Sequence, residues 1–142
     1  MATDWEQIRK HQRVLFAPKN HIMAVFSTQG TATDVKVMDL SLGGLSCSML
    51  RRERDLYQSG DRLVIREIND GNGLKIPMNT EIEIKWVMDI AGFNNVGFGC
   101  QFLNLADEGR KRLAQFIDGE LKKGALKKQI SDSKDYAKTS LS

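Results

Sequence analysis

The chain has 142 residues, 41% hydrophobic and 27% charged, which indicates one globular domain and excludes a disordered or fibrous protein. Lys and Arg number 21 against 18 Asp and Glu, a net charge of +3. This charge is too small for binding nucleic acid by charge alone, but it suits a small anionic ligand. No apolar run approaches the ~20 residues of a membrane-spanning helix. The charged N-terminus does not resemble a secretion signal, so we expect a soluble, cytoplasmic protein.

Cysteine, histidine and serine patterns argue against metal binding and catalysis. Cys47 and Cys100 each lie in an alternating apolar stretch, which favours reduced thiols in the core. The two histidines, His11 and His21, lie far from any Cys-x2-Cys spacing, so no metal site is predicted. Nothing resembles a nucleophile elbow, and we expect no enzymatic activity.

Residues 22–102 read as short strands separated by turn signals, a pattern typical of a β-sandwich or small barrel. Turns are predicted at residues 28–30 and, most strongly, at the Asn-Asp-Gly-Asn-Gly segment 69–73. One further strand is predicted over residues 61–68. In the other five predicted strands, the side chains expected to point inward are those of Ile22, Ala24 and Phe26; Val35 and Val37; Leu45, Cys47 and Met49; Ile82, Ile84 and Trp86; and Val96, Phe98, Cys100 and Phe102.

Two glycines interrupt the outward face of the last predicted strand. Gly97 and Gly99 lie opposite Phe98 and Cys100, so this face lacks side chains. A bare face permits a sharp bend at a barrel corner or the close approach of another backbone, although a merely weak strand would show the same pattern.

After the last strand, apolar residues recur at three- and four-residue intervals, which predicts an amphipathic helix. The residues of its apolar face are Leu113, Phe116, Ile117 and Leu121. Asn104 is the predicted N-cap. We expect this helix to cover the open end of a barrel. Residues 124–142 are mostly polar and are predicted to form a mobile tail.

Two segments carry residues suited to ligand binding. Arg9 and Arg13 supply planar guanidinium groups that can bind phosphate or a guanine edge. Asp39 and Ser41 lie two positions apart and should face the same side of extended backbone, where a carboxylate can accept two hydrogen bonds from guanine. The following Gly43 and Gly44 permit a tight turn with positive φ and a close approach of ligand. Together they predict a site for an anionic guanine nucleotide.

These residues resemble the signature of the PilZ domain family, RxxxR followed by [D/N]xSxxG. The matching positions are Arg9, Arg13, Asp39, Ser41 and Gly44. The resemblance runs from about residue 9 to residue 121. It implies a six-stranded antiparallel β-barrel with a C-terminal helix that binds cyclic di-GMP and has no catalytic activity. It also implies that the arginines bind the phosphates and guanine Hoogsteen edges, that Asp39 and Ser41 hold a guanine, and that Gly44 shapes the turn.

On this basis the chain divides into three parts. Residues 1–13 form a flexible segment that orders over the nucleotide, residues 14–123 form the barrel and helix, and residues 124–142 form the tail. Because residue 8 is Ile and not a further Arg, we expect one nucleotide per domain. A chain without an attached effector domain would relay its signal to a partner protein.

Two other functions fit parts of the sequence. A PilZ-like adaptor could bind a protein partner without any nucleotide, through its apolar rim or its Lys-rich helix end. A barrel that binds nucleic acid would need exposed aromatic residues on a basic sheet. Only 7% of residues are aromatic and most occupy predicted inward positions, which disfavours that function.

Overall fold

The computed structural model describes residues 12–17, 21–50, 57–89, 92 and 94–123. Within these ranges the chain forms seven strands followed by helix α1, which is described over residues 107–123. The strands are β1 (Val14–Leu15), β2 (Met23–Thr28), β3 (Thr31–Leu40), β4 (Gly44–Leu50), β5 (Arg62–Asn69), β6 (Lys75–Met88) and β7 (Asn95–Phe102).

The six long strands close into an antiparallel barrel, as predicted. Neighbours follow the order β3-β2-β5-β6-β7-β4, and pairing of β3 with β4 closes the ring. The two-residue strand β1 pairs with the last two residues of β3. It lies on the same edge of β3 as β2, which pairs with residues 31–36. The β2–β3 turn is made by Gln29 and Gly30 with φ of 49° and 83°, the left-handed backbone of a tight hairpin turn.

The barrel interior contains most of the residues predicted to point inward. Ala24, Phe26, Val35, Val37, Cys47, Ile82, Ile84 and Phe98 are all 1% exposed or less. Tyr57, which the sequence analysis did not place, is also buried: its ring packs edge-on against Phe98 and its hydroxyl donates to Thr33 Oγ1 at 3.1 Å. Alternation of side chains along each strand explains why the apolar set faces one side.

The predicted inward position of Trp86 is wrong. A β-bulge between Ile84 and Trp86 inserts Lys85 as an extra residue, so that Ile84 pairs with Cys100 and Trp86 already pairs with Gly99. The bulge reverses the alternation along β6, which turns Trp86 outward. Trp86 is 42% exposed, whereas Val87 packs partly buried against the core.

Helix α1 packs its predicted apolar face against the barrel. Leu113 and Ile117 are buried in the core cluster, and the ring of Phe116 lies 6.2 Å from that of Phe16. The helix begins two or three residues after the predicted cap at Asn104, since its first backbone bond runs from Arg110 N–H to the carbonyl of Ala106. Among the described residues, no helix has the length and apolar character needed to cross a bilayer.

Candidate functional site

The short strand β1 brings the N-terminal arginine segment to the end of β3. Val14 pairs with Leu40 and Leu15 with Asp39, which places Arg13 beside the Asp39 carboxylate. Arg13 Nη1 lies 2.8 Å from Asp39 Oδ1, and the two side chains are 51% and 16% exposed. The two predicted segments therefore meet on one outer face of the barrel. Arg9 lies outside the described residues.

Asp39 is held by strand β4 as well as by Arg13. Its Oδ1 accepts from the backbone N–H of Ser46 at 3.2 Å, and its Oδ2 accepts from the Ser46 hydroxyl at 2.5 Å. A bulge between Val37 and Asp39 brings Asp39 opposite Ser46, which itself is only 3% exposed. The carboxylate is thus held by Ser46 as well as by Arg13 and is mostly covered.

Ser41 and Gly44 build the turn between β3 and β4. The Ser41 backbone N–H donates to the Gly44 carbonyl at 2.9 Å, and the Ser41 hydroxyl accepts from Gly43 N–H at 3.2 Å. Ser41 is 2% exposed. The hydroxyl therefore stabilises the turn from within.

Neither Gly43 nor Gly44 adopts the positive φ that glycine permits. Gly44 is required for close packing instead. A Cβ added at this position would lie 2.0 Å from the carbonyl oxygen of Cys100 on β7. Glycine thus lets β4 approach β7 at the point where the turn enters the strand.

An open cleft of about 310 Å³ connects these residues to strands β6 and β7. That volume is at the low end of the ~300–1,000 Å³ usual for small-molecule sites. Its lining combines the arginine and turn residues with residues from three strands: Arg13, Ser41, Gly43, Gly44, Leu45, Lys85, Trp86, Gly99, Cys100 and Gln101.

The Trp86 ring forms one wall of this cleft by lying on the backbone of Gly99. A Cβ added at Gly99 would lie 1.9 Å from Trp86 Nε1 and 2.1 Å from Cε2. The bare face at Gly99 thus accommodates the side chain of Trp86. The exposed side of the indole can stack on a planar ligand.

Lys85 adds a second positive charge to the cleft. Its Nζ lies 2.6 Å from Glu83 Oε2, and Glu83 also pairs with Arg62 at 3.5 Å. The hydrogen bond from Lys85 is the main reason why the pKa of Glu83 lies below its usual range. With Arg13 and Lys85 in its lining, the cleft is suited to an anion.

A second cleft, of about 380 Å³, lies at the β2–β3 hairpin. Its polar lining includes Thr28, Gln29, Tyr57, Asp61 and Arg62, and none of the four predicted site residues that the structure describes. Among the described residues, no cluster of His, Cys, Asp and Glu side chains could hold a metal ion.

Sequence reasoning missed Ser46, Lys85 and Trp86 as residues of this region. The strict alternation of β4 gave no sign that Ser46 faces Asp39, because a bulge in β3 decides that pairing. Trp86 was misplaced because the alternation along β6 gave no sign of the bulge. Lys85 is exposed and lines the cleft, a role that its place in the alternation did not indicate. The bare Gly97 and Gly99 face was the one available signal, since a bare strand face can accommodate a neighbouring ring.

Comparison with known proteins finds others that have this barrel fold. The sequence pattern described as the PilZ domain matches residues 7–119. The PilZ domain of Escherichia coli YcgR with c-di-GMP shares 18% identity at a TM-score of 0.66, covering 85% of this chain and 97% of that one.

Two longer proteins are similar over part of their length. The Klebsiella pneumoniae MrkH–c-di-GMP complex shares 13% identity at a TM-score of 0.69, covering 82% of this chain and 53% of MrkH. Borreliella burgdorferi PlzA in complex with c-di-GMP shares 10% identity at a TM-score of 0.58, covering 84% and 55% of the two chains. This chain thus spans about half of those proteins. No curated protein sequence matches it significantly.

Proposed function

The chain belongs to the PilZ family, and from this premise we propose that it is a receptor for cyclic di-GMP that has no catalytic activity and relays the signal to a partner protein. The observation that carries the proposal is the contact, at 2.8 Å, between Asp39 and Arg13, which lines the cleft. The two residues come from separate parts of the signature, so their contact supports one shared site.

The cationic side chains around the cleft bind the phosphates of the nucleotide. Arg13 is half exposed and its guanidinium can leave Asp39 to make paired hydrogen bonds with a phosphate. We assign Arg9 the same role, four residues earlier in the signature. Lys85 also lines the cleft and adds a point charge for the second phosphate.

Guanine binding falls to the turn and strand residues. The Asp39 carboxylate accepts hydrogen bonds from the N1–H and N2–H₂ edge of a guanine, which adenine does not present. Ser41 and Gly44 hold the turn beside that base, and both line the cleft. Trp86 offers its exposed ring face for stacking, a contact worth about 1–3 kcal/mol per base.

The test is titration calorimetry of the purified chain with cyclic di-GMP, with GTP and cyclic di-AMP as controls. We expect saturable binding of the first alone, at one nucleotide per domain. A micromolar Kd corresponds to about 8 kcal/mol. Since a hydrogen bond to a charged group contributes about 1.5–3 kcal/mol, Arg13→Ala and Asp39→Ala should each weaken binding at least about tenfold.

Substitution by lysine separates charge from geometry at position 13. Arg13→Lys retains the positive charge but not the planar pair of donors, so it should restore only part of the affinity. Unchanged affinity in both Arg13→Ala and Asp39→Ala would refute the site. Absence of any binding by the unmodified chain would favour the nucleotide-independent adaptor.

A further inference from the structure

Among the described residues, Ser46 and Arg13 donate hydrogen bonds to the Asp39 carboxylate. The backbone N–H of Ser46 donates to Oδ1 at 3.2 Å and its hydroxyl to Oδ2 at 2.5 Å, so one residue holds both oxygens. Ser46 is 3% exposed and pairs on its other side with Gly99, beneath the Trp86 ring. Its position is therefore set by strands on both sides.

The Asp39 carboxylate has enough acceptor positions to bind guanine while it keeps its hydrogen bonds from Ser46. Two carboxylate oxygens offer about four lone-pair positions. Ser46 occupies one on each oxygen, and Arg13 occupies a second on Oδ1. When Arg13 turns toward a phosphate, each oxygen retains its bond from Ser46 and has one free position. Two free acceptors side by side match the two adjacent donors of a guanine edge.

We infer that Ser46 is a positioning residue, which orients Asp39 so that both of its oxygens face guanine after Arg13 has moved to the ligand. This inference rests on the proposed function. Ser46 acts through Asp39 and need not touch the nucleotide. Without its two donors, the released carboxylate would be free to rotate about its side-chain torsions, and the paired contact would become less favourable.

The experiment is a double-mutant cycle measured by calorimetry with cyclic di-GMP and with cyclic di-AMP. Ser46→Ala should weaken binding of cyclic di-GMP about tenfold, the loss of one hydrogen bond to a charged group, and should narrow its preference over cyclic di-AMP. Ser46→Thr retains the hydroxyl and should recover most of the affinity. In an Asp39→Ala background, Ser46→Ala should change Kd less than about twofold, because its target is absent.

Ser48→Ala is the matched control, since Ser48 lies two residues further on the same strand and pairs with Lys36 and Gly97 away from Asp39. It should bind like the unmodified chain. If Ser46→Ala folds poorly by circular dichroism, Ser46→Cys keeps the size and the backbone donor but weakens the side-chain donor, and should lose affinity in the same direction.

Two outcomes overturn the inference while leaving the proposed function intact. One is full affinity in both Ser46→Ala and Ser46→Cys. The other is an equal loss from Ser46→Ala with and without Asp39, which would assign Ser46 a role independent of the carboxylate. Failure of the unmodified chain to bind cyclic di-GMP would overturn the proposed function, and this inference with it.

Discussion

Gly99→Ala tests the role of Trp86 without altering the tryptophan itself. The added methyl group would lie 1.9 Å from Nε1, 2.1 Å from Cε2 and 2.6 Å from Cδ1 of the indole, so the ring has to leave its place on β7. Because Trp86 is already 42% exposed, it can swing toward solvent without disrupting the core. Gly97→Ala is the matched control, since its methyl group would meet Trp86 Cζ3 and Met88 Cβ at an ordinary 3.7 Å.

The expected stability cost of Gly99→Ala is small. Full burial of a large apolar side chain is worth about 3 kcal/mol, and roughly half of that is lost when a half-covered ring is released. Replacing glycine by alanine within a strand returns about 0.5–1 kcal/mol. The net loss of about 1 kcal/mol should lower Tm by about 4 °C in a domain of this size.

The effect on binding should be larger than the effect on stability. Loss of a base-stacking contact worth about 1–3 kcal/mol raises Kd roughly 5- to 150-fold. Calorimetry with cyclic di-GMP measures this change. Adding Trp5→Phe to every variant leaves Trp86 as the only tryptophan, so that its fluorescence can be followed separately. In that background, Gly99→Ala should shift the emission to longer wavelength and reduce its response to ligand.

One result of these measurements would refute a stacking role for Trp86. If the emission of Gly99→Ala shows that the ring has moved, yet Kd stays within twofold of that of Gly97→Ala, then Trp86 does not stack on the nucleotide. The cleft would then bind through its hydrogen bonds and charges alone.

Three further predictions concern the scaffold. Gly44→Ala should reduce the free energy of unfolding by more than about 2 kcal/mol, because its Cβ would lie 2.0 Å from the backbone oxygen of Cys100; a urea midpoint equal to that of the unmodified chain would contradict this. Gly119→Ala should instead stabilise by up to about 1 kcal/mol, since nothing lies within 4 Å of the added methyl group in α1; a lower urea midpoint would show that the glycine is needed there. The hydrogen bond with Cys100 and burial raise the pKa of the Cys47 thiol well above its usual range, so Cys47 should react with a thiol reagent at pH 8 only on unfolding; rapid labelling of Cys47 in the folded chain, identified by mass spectrometry, would refute this.

The sequence alone determined the six long strands, the helix and most of their inward faces, because apolar alternation and the 3.6-residue period are local properties of the chain. The family signature also predicted which side chains would share a site, and Arg13 does contact Asp39. The outward turn of Trp86 and the pairing of Asp39 with Ser46 were not predictable in this way. Each depends on a bulge, at Lys85 in β6 and at Met38 in β3. A bulge exists only in relation to the partner strand, so only the closed barrel decides where the alternation reverses and which residues line the cleft.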